Sequence, residues 1–315
     1  MLLFAESLII EERSLFKMRK KILFVPGKNL KPEPEKHIHY LRRCLVEGVS
    51  RHSSEAAHEI LEQDAFEICS WNHTFYQEHL DFSSLLGSID AVCRKTRAST
   101  KDKLFATTWK IAISRLIYKL GDQFPWLIDL MADEHVKAMI HDTDRYFNNT
   151  EGIADQVREI LMAGILDCTK NCKVLLIGHS MGSIISYDTL SQLQESGFQG
   201  KLVDLFLTIG SPLGLRFTQE RLYNFSQTDS TQLPANIKVW HNVSARGDLV
   251  SVDTTLANDF ALMKTENLLE DIVDHTSNVF NWYRNNEGYN FHSSYGYLVE
   301  PTASKIITDW WLENS

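Results

Sequence analysis

The stretch CKVLLIGHSMGSII, residues 172–185, constrains this chain more than any other. An aliphatic run ends in Gly178-His179-Ser180-Met181-Gly182, and a segment compatible with a helix follows at once. A strand that turns directly into a helix holds its turn residue in a strained conformation. Side chains two positions before and after that residue would strike the neighbouring strand and helix backbones. Gly178 and Gly182 stand at those two positions. The bland alternative is a serine capping an ordinary strand-to-helix turn. Placement after the most strand-like run in the chain favours a hydroxyl perched on a sharp bend.

Other short apolar runs alternate with longer segments of helical period, which predicts a parallel sheet with crossover helices. Strands are expected at 21–27, 64–71, 172–179, 201–212 and 236–245. Helices are expected at 36–49, from Ser180 to a stop at Gly197, and in the closing SKIITDWWLENS. At 151–166, Ile153, Val157, Ile160, Leu161 and Gly164 share one helical face, with Asn149 or Thr150 as cap. The interval of about 72–150 is far longer than a crossover needs. Phe105, Trp109, Ala112, Leu116 and Leu120 recur there at helical spacing, so it is expected to be a helical insertion over the sheet edge where strands end.

With 315 residues, 43% hydrophobic and 23% charged, the chain suits one large globular α/β domain. That domain is expected over 18–315, after an extension at 1–17. Leu8, Ile9, Leu15 and Phe16 could give the extension one apolar face. Its acidic residues come early and no cation precedes the apolar part, the reverse of a signal peptide, and no run reaches membrane-span length. A net charge of −9 without a basic block argues against nucleic acid or an anionic membrane surface as partner. Five cysteines at irregular spacing, with Cys168 and Cys172 as a lone pair, argue against a zinc site and for reduced thiols in the cytoplasm.

A serine hydroxyl is a weak nucleophile unless an imidazole removes its proton, and the imidazole needs a carboxylate to fix its tautomer. In strand-turn-helix nucleophile folds the partners follow in the order serine, acid, histidine. Downstream lie His241, His275 and His292. His241 falls inside an expected strand and His275 is a second candidate. His292, in a polar, aromatic loop before the last helical segment, is preferred. Asp248 follows the fifth strand and so reaches the same sheet edge as Ser180; Asp253 and Asp274 are alternatives. Negative charge developing on the substrate oxygen requires two backbone N–H donors. Met181 supplies the first, and Lys28, in the loop after the first strand where Gly27 permits close approach, is the candidate for the second. No metal or organic cofactor is required.

These motifs resemble the α/β-hydrolase superfamily, most closely its lipase- and esterase-like members carrying Gly-His-Ser-Met-Gly. The resemblance covers 21–30, 172–214 with TIGSPLG, 236–250 and 290–297. It implies Ser180 as nucleophile, Asp248 as acid, His292 as base and Met181 as first oxyanion donor. The family often has His-Gly in the first loop, where this chain has Pro26-Gly27. The insertion occupies a position where related enzymes vary a cap. The implied activity is hydrolysis of a carboxylic ester or thioester, small or lipid-like, through an acyl-enzyme. A hydrolase-fold protein used only for binding, or an amidase or peptidase with the same residues, are the alternatives. Trp109, Phe124, Trp126, Leu127, Met131 and Met139 would line an acyl cleft or form the cap's own core. Arg145 would meet an anionic headgroup or sit at the surface. The sequence leaves the oligomeric state open.

Overall fold

The computed structural model describes residues 19–81, 83–108, 142–169, 172–198 and 200–314. The expected extension at 1–17, the helical pattern from Trp109 to Leu120, and the cap residues Trp109, Phe124, Trp126, Leu127, Met131 and Met139 lie outside these. Six strands of the described residues form the main sheet: β1 (Arg19–Val25), β2 (Phe66–Ile68), β3 (Cys172–His179), β4 (Val203–Ile209), β5 (Ile237–Val243) and β6 (Asp271–His275). All pair in parallel in the order β2-β1-β3-β4-β5-β6. The helices used below are α1 (Pro34–Ser50), α2 (Ser54–Glu62), α3 (Trp71–Tyr76), α4 (Leu86–Arg94), α5 (Thr100–Ala106), α6 (Ile153–Thr169), α7 (Met181–Glu195), α8 (Ser294–Val299) and α9 (Pro301–Glu313). This is the expected α/β-hydrolase-type architecture, a parallel sheet flanked by helices.

Alternation along the strands divides the apolar side chains between two layers. Ile22, Phe24, Leu175, Ile177, Leu205 and Leu207 pack with residues of α1, α2, α8 and α9. Leu23, Val25, Val174, Leu176, Phe206 and Trp240 pack with residues of α6 and α7 on the other side. The described parts of the insertion join these same cores: Ile89 and Val92 of α4 enter the first, Trp71, Phe75 and Tyr146 the second.

The expected second strand at 64–71 is shorter than its apolar pattern suggested. Only Phe66–Ile68 pair, and Trp71 opens α3. The fourth stops at Ile209 rather than 212. A sixth strand was not anticipated; of its DIVDH only Ile272 is fully buried, as suits an edge. A 3₁₀ turn, Thr150–Gly152, leads into α6 from a left-handed Asn149, whose side-chain oxygen accepts the N–H of Ala154 at 2.9 Å. Asn149 is thus the cap.

Register places the candidate site. Val25 is level with Gly178, His179 with Ile209, and Ile209 with Val243, so the loops after β1, β3, β4 and β5 leave from one edge. Chain direction along the sheet reverses between β1 and β3, and that switch point is where open parallel sheets form crevices.

Candidate active site

Ser180 sits between β3 and α7 with φ 55° and ψ −128°, a conformation side-chain-bearing residues rarely adopt. Such strain costs of order 1–3 kcal/mol and persists only where surrounding structure enforces it. The Ser180 N–H donates to Ile209 O at 3.2 Å, and Ser180 O accepts from the N–H and hydroxyl of Ser183 at 2.9 and 2.6 Å. The flanking glycines make the bend sterically feasible. A Cβ on Gly182 would stand 2.2 Å from Val25 O, and one on Gly178 2.7 Å from Ser183 Cα.

The structure brings Ser180, His292 and Asp248 together. Ser180 Oγ lies 2.8 Å from His292 Nε2, and His292 Nδ1 lies 2.9 Å from Asp248 Oδ2. Asp248 is fully buried. Burial alone would raise its carboxyl; the His292 ring beside it, the Tyr297 hydroxyl and the Val250 N–H outweigh that and hold it below its ordinary value. The ionised carboxylate only accepts, so His292 Nδ1 carries hydrogen and Nε2 is the ring nitrogen that faces the serine hydroxyl.

Three residues that sequence reasoning did not assign complete this arrangement. Tyr297, in α8, donates its hydroxyl to Asp248 Oδ2 at 2.7 Å and accepts the Ala245 N–H at 2.9 Å. Burial pushes that phenol far above its usual range, so it remains a donor. His179, between Gly178 and Ser180, donates Nε2–H to His292 O at 2.7 Å and lies 4.7 Å from the His292 ring, centroid to centroid. Burial holds the His179 ring neutral. Gly210, φ +56°, gives Asp248 and His292 their room: a Cβ there would stand 2.9 Å from Asp248 Oδ2 and 3.0 Å from His292 Nδ1. The glycine of TIGSP and the histidine of the serine motif were visible signals; Tyr297 carried none.

The loop after β1 touches the serine. A Cβ on Gly27 would lie 2.8 Å from both Ser180 Cβ and His179 Nδ1, so only glycine fits. Lys28 follows it, half-buried, and burial lowers its ammonium to about 8 against the opposing pull of Asp142. Met181 is the first residue of α7, so its N–H has no acceptor within the helix.

The alternatives are engaged elsewhere. His275 Nε2 lies 3.3 Å from His241 Nδ1, at the β5–β6 edge. Asp274 accepts the N–H groups of Leu256 and Ala257 and the Asn242 amide, each at 2.9 Å. Asp253 accepts the N–H and hydroxyl of Thr255. Arg145 donates to Phe75 O at 2.7 Å and lies over the Phe75 ring, so it secures the base of the insertion. Among the described residues no cluster of three or more histidine, cysteine, aspartate or glutamate side chains could hold a metal ion. None of the described helices is long and apolar enough to cross a membrane.

No curated protein and no solved structure matches the chain. Residues 137–217, well under half of its length, match the family model of lecithin:cholesterol acyltransferase. The matched segment contains Ser180 and its strand-turn-helix setting; Asp248 and His292 fall beyond it.

Proposed function

We propose that this chain is a serine hydrolase acting on carboxylic esters or thioesters, lipid-like ones included, through an acyl-enzyme on Ser180. The observation that carries this reading is the continuous hydrogen-bonded path from Ser180 Oγ through both ring nitrogens of His292 to buried Asp248. Ser180 Oγ attacks the acyl carbon while its proton passes to His292 Nε2. Asp248 orients the ring and stabilises the imidazolium. The imidazolium then returns the proton to the departing alcohol or thiol as the tetrahedral species collapses. Water, deprotonated by His292, attacks the ester on Ser180, and a second collapse frees the acid and restores the hydroxyl. The N–H groups of Met181 and Lys28 stabilise the oxyanion in both steps. In this reading, the 1–17 extension precedes one catalytic domain at 18–315, which carries the insertion at about 72–150.

The match to an acyltransferase family favours a second outcome for the same intermediate, discharge to an alcohol acceptor instead of water. Turnover of p-nitrophenyl acyl esters, followed with and without added alcohol, tests both. Ser180-dependent release of p-nitrophenol is expected. Folded protein with equal rates before and after Ser180→Ala would remove Ser180 from the mechanism.

A further inference from the structure

We infer that Asn72, with Trp71 beside it, positions the second oxyanion donor: helix α3 clamps the loop after β1 so that the Lys28 N–H faces the serine. This inference rests on the serine hydrolase reading and goes beyond it by assigning a task to the first turn of the insertion. The loop is four residues of irregular backbone, Pro26 to Asn29, whose polar groups are almost all accounted for. Trp71 Nε1 donates to Pro26 O at 2.8 Å. Asn72 Nδ2 donates to Gly27 O at 2.8 Å and to Asn29 O at 3.2 Å. Lys31 Nζ donates to Lys28 O at 2.8 Å, and the Asn29 N–H donates to the Tyr76 hydroxyl at 3.0 Å. Every carbonyl of the loop therefore has a donor.

The peptide joining Gly27 to Lys28 is trans, and in a trans peptide the N–H points opposite to the C=O. Asn72 draws the Gly27 oxygen toward α3, so the Lys28 N–H must aim away from α3. Gly27 itself abuts Ser180 and His179. Trp71 and Asn72 are both nearly fully buried, so the donors that hold the loop are fixed by packing. Without the Asn72 amide, rotation of this one peptide would present a carbonyl where a donor is needed, a change fatal to an oxyanion site but nearly invisible to the fold. Preorganisation of this kind acts on the transition state and leaves ground-state binding largely alone.

Asn72→Leu keeps the branching of the side chain at a somewhat greater volume and removes the donor. Its kcat on a p-nitrophenyl ester should fall about 10- to 100-fold, short of the full loss of one oxyanion donor, with KM changed less than about threefold. Affinity for a trifluoromethyl ketone, which forms a tetrahedral adduct with the serine, should weaken by the same factor as kcat/KM. Trp71→Phe, which removes the indole N–H while keeping an aromatic ring at this buried position, should show a smaller loss of the same form and carries the test if Asn72→Leu does not fold. Asn72→Gln, with the amide retained on a longer stem, should recover part of kcat. Equal losses in substrate and ketone binding, or unchanged kcat in folded variants, would overturn the clamp alone. Absence of Ser180-dependent turnover in the unaltered chain would overturn the hydrolase reading and the clamp with it.

Discussion

Two aspartate–histidine neighbourhoods lie at the same sheet edge, and they differ in which donors the carboxylate accepts. After β5, Asp248 Oδ1 is occupied by the Val250 N–H while Oδ2 receives both Tyr297 and His292. At the end of β6, Asp274 is adjacent to His275 in sequence, yet its two oxygens are taken by Asn242, Leu256 and Ala257. His275 meets His241 instead of a carboxylate, and burial lowers the affinity of both rings for a proton, His241 to about 4. The first pair has an accessible imidazole with a charged partner behind it and a strained hydroxyl in front. The second is scaffolding for the loop that follows Asp253. Proximity in sequence to an acid is thus a poor guide to a base; which donors the folded chain brings to the acid decides.

The comparison can be broken most severely at its centre. Ser180→Ala and His292→Ala should each lower kcat by roughly 10⁶-fold in an ester assay, because members of a concerted set lose nearly everything singly. Asp248→Asn should follow at about 10⁴-fold, since the amide favours the wrong tautomer of His292. That substitution also has a pH signature. The folded carboxyl sits below its ordinary 3.8, so its contribution to stability is complete above 3.8 and is lost as pH falls through the lower folded value. Acid unfolding of the Asn variant, followed by circular dichroism, should lack that component.

Tyr297→Phe removes one of two donors from Asp248 Oδ2 and should cost about tenfold in kcat, with an upward shift in the acid limb of its pH profile, because the carboxylate loses a hydrogen bond that favours its charged form. Asp274→Ala sharpens the contrast from the other side. It strands two backbone N–H groups and an amide, so thermal or urea unfolding should show a loss of about 3 kcal/mol while kcat of the folded protein holds within about threefold. His275→Asn should change neither beyond about twofold in rate or 1 kcal/mol in stability. A large loss of kcat in a well-folded His275 or Asp274 variant would reverse the assignment of the two neighbourhoods.

How far the sequence discloses this molecule depends on the range of the forces involved. β3 is legible to the residue because a parallel strand buried over most of its length is a near-continuous apolar run, and because the sharp bend after it needs glycine at 178, against Ser183, and at 182, against the end of β1. The convergence of Ser180, Asp248 and His292 could be anticipated from chain order and from where strands end. β6 escaped because an edge strand buries one face at most, and DIVDH has the polarity of a loop. The apolar run through Trp71 suggested a longer β2; the indole instead serves the distant carbonyl of Pro26, a demand no local pattern encodes. Tyr297 acts on Asp248 from 49 residues further along the chain, and only the folded packing of α8 against the sheet reveals it.

Fluorophosphonate labelling of the folded chain, read by intact mass and peptide mapping, tests the central claim most directly, because the probe reacts only with a serine whose proton is withdrawn by a neighbouring base. A single phosphonyl adduct on Ser180 is expected, abolished by His292→Ala and retained in His275→Asn. No adduct on the folded protein, or an adduct on Ser180 that survives loss of the His292 imidazole, would contradict the account.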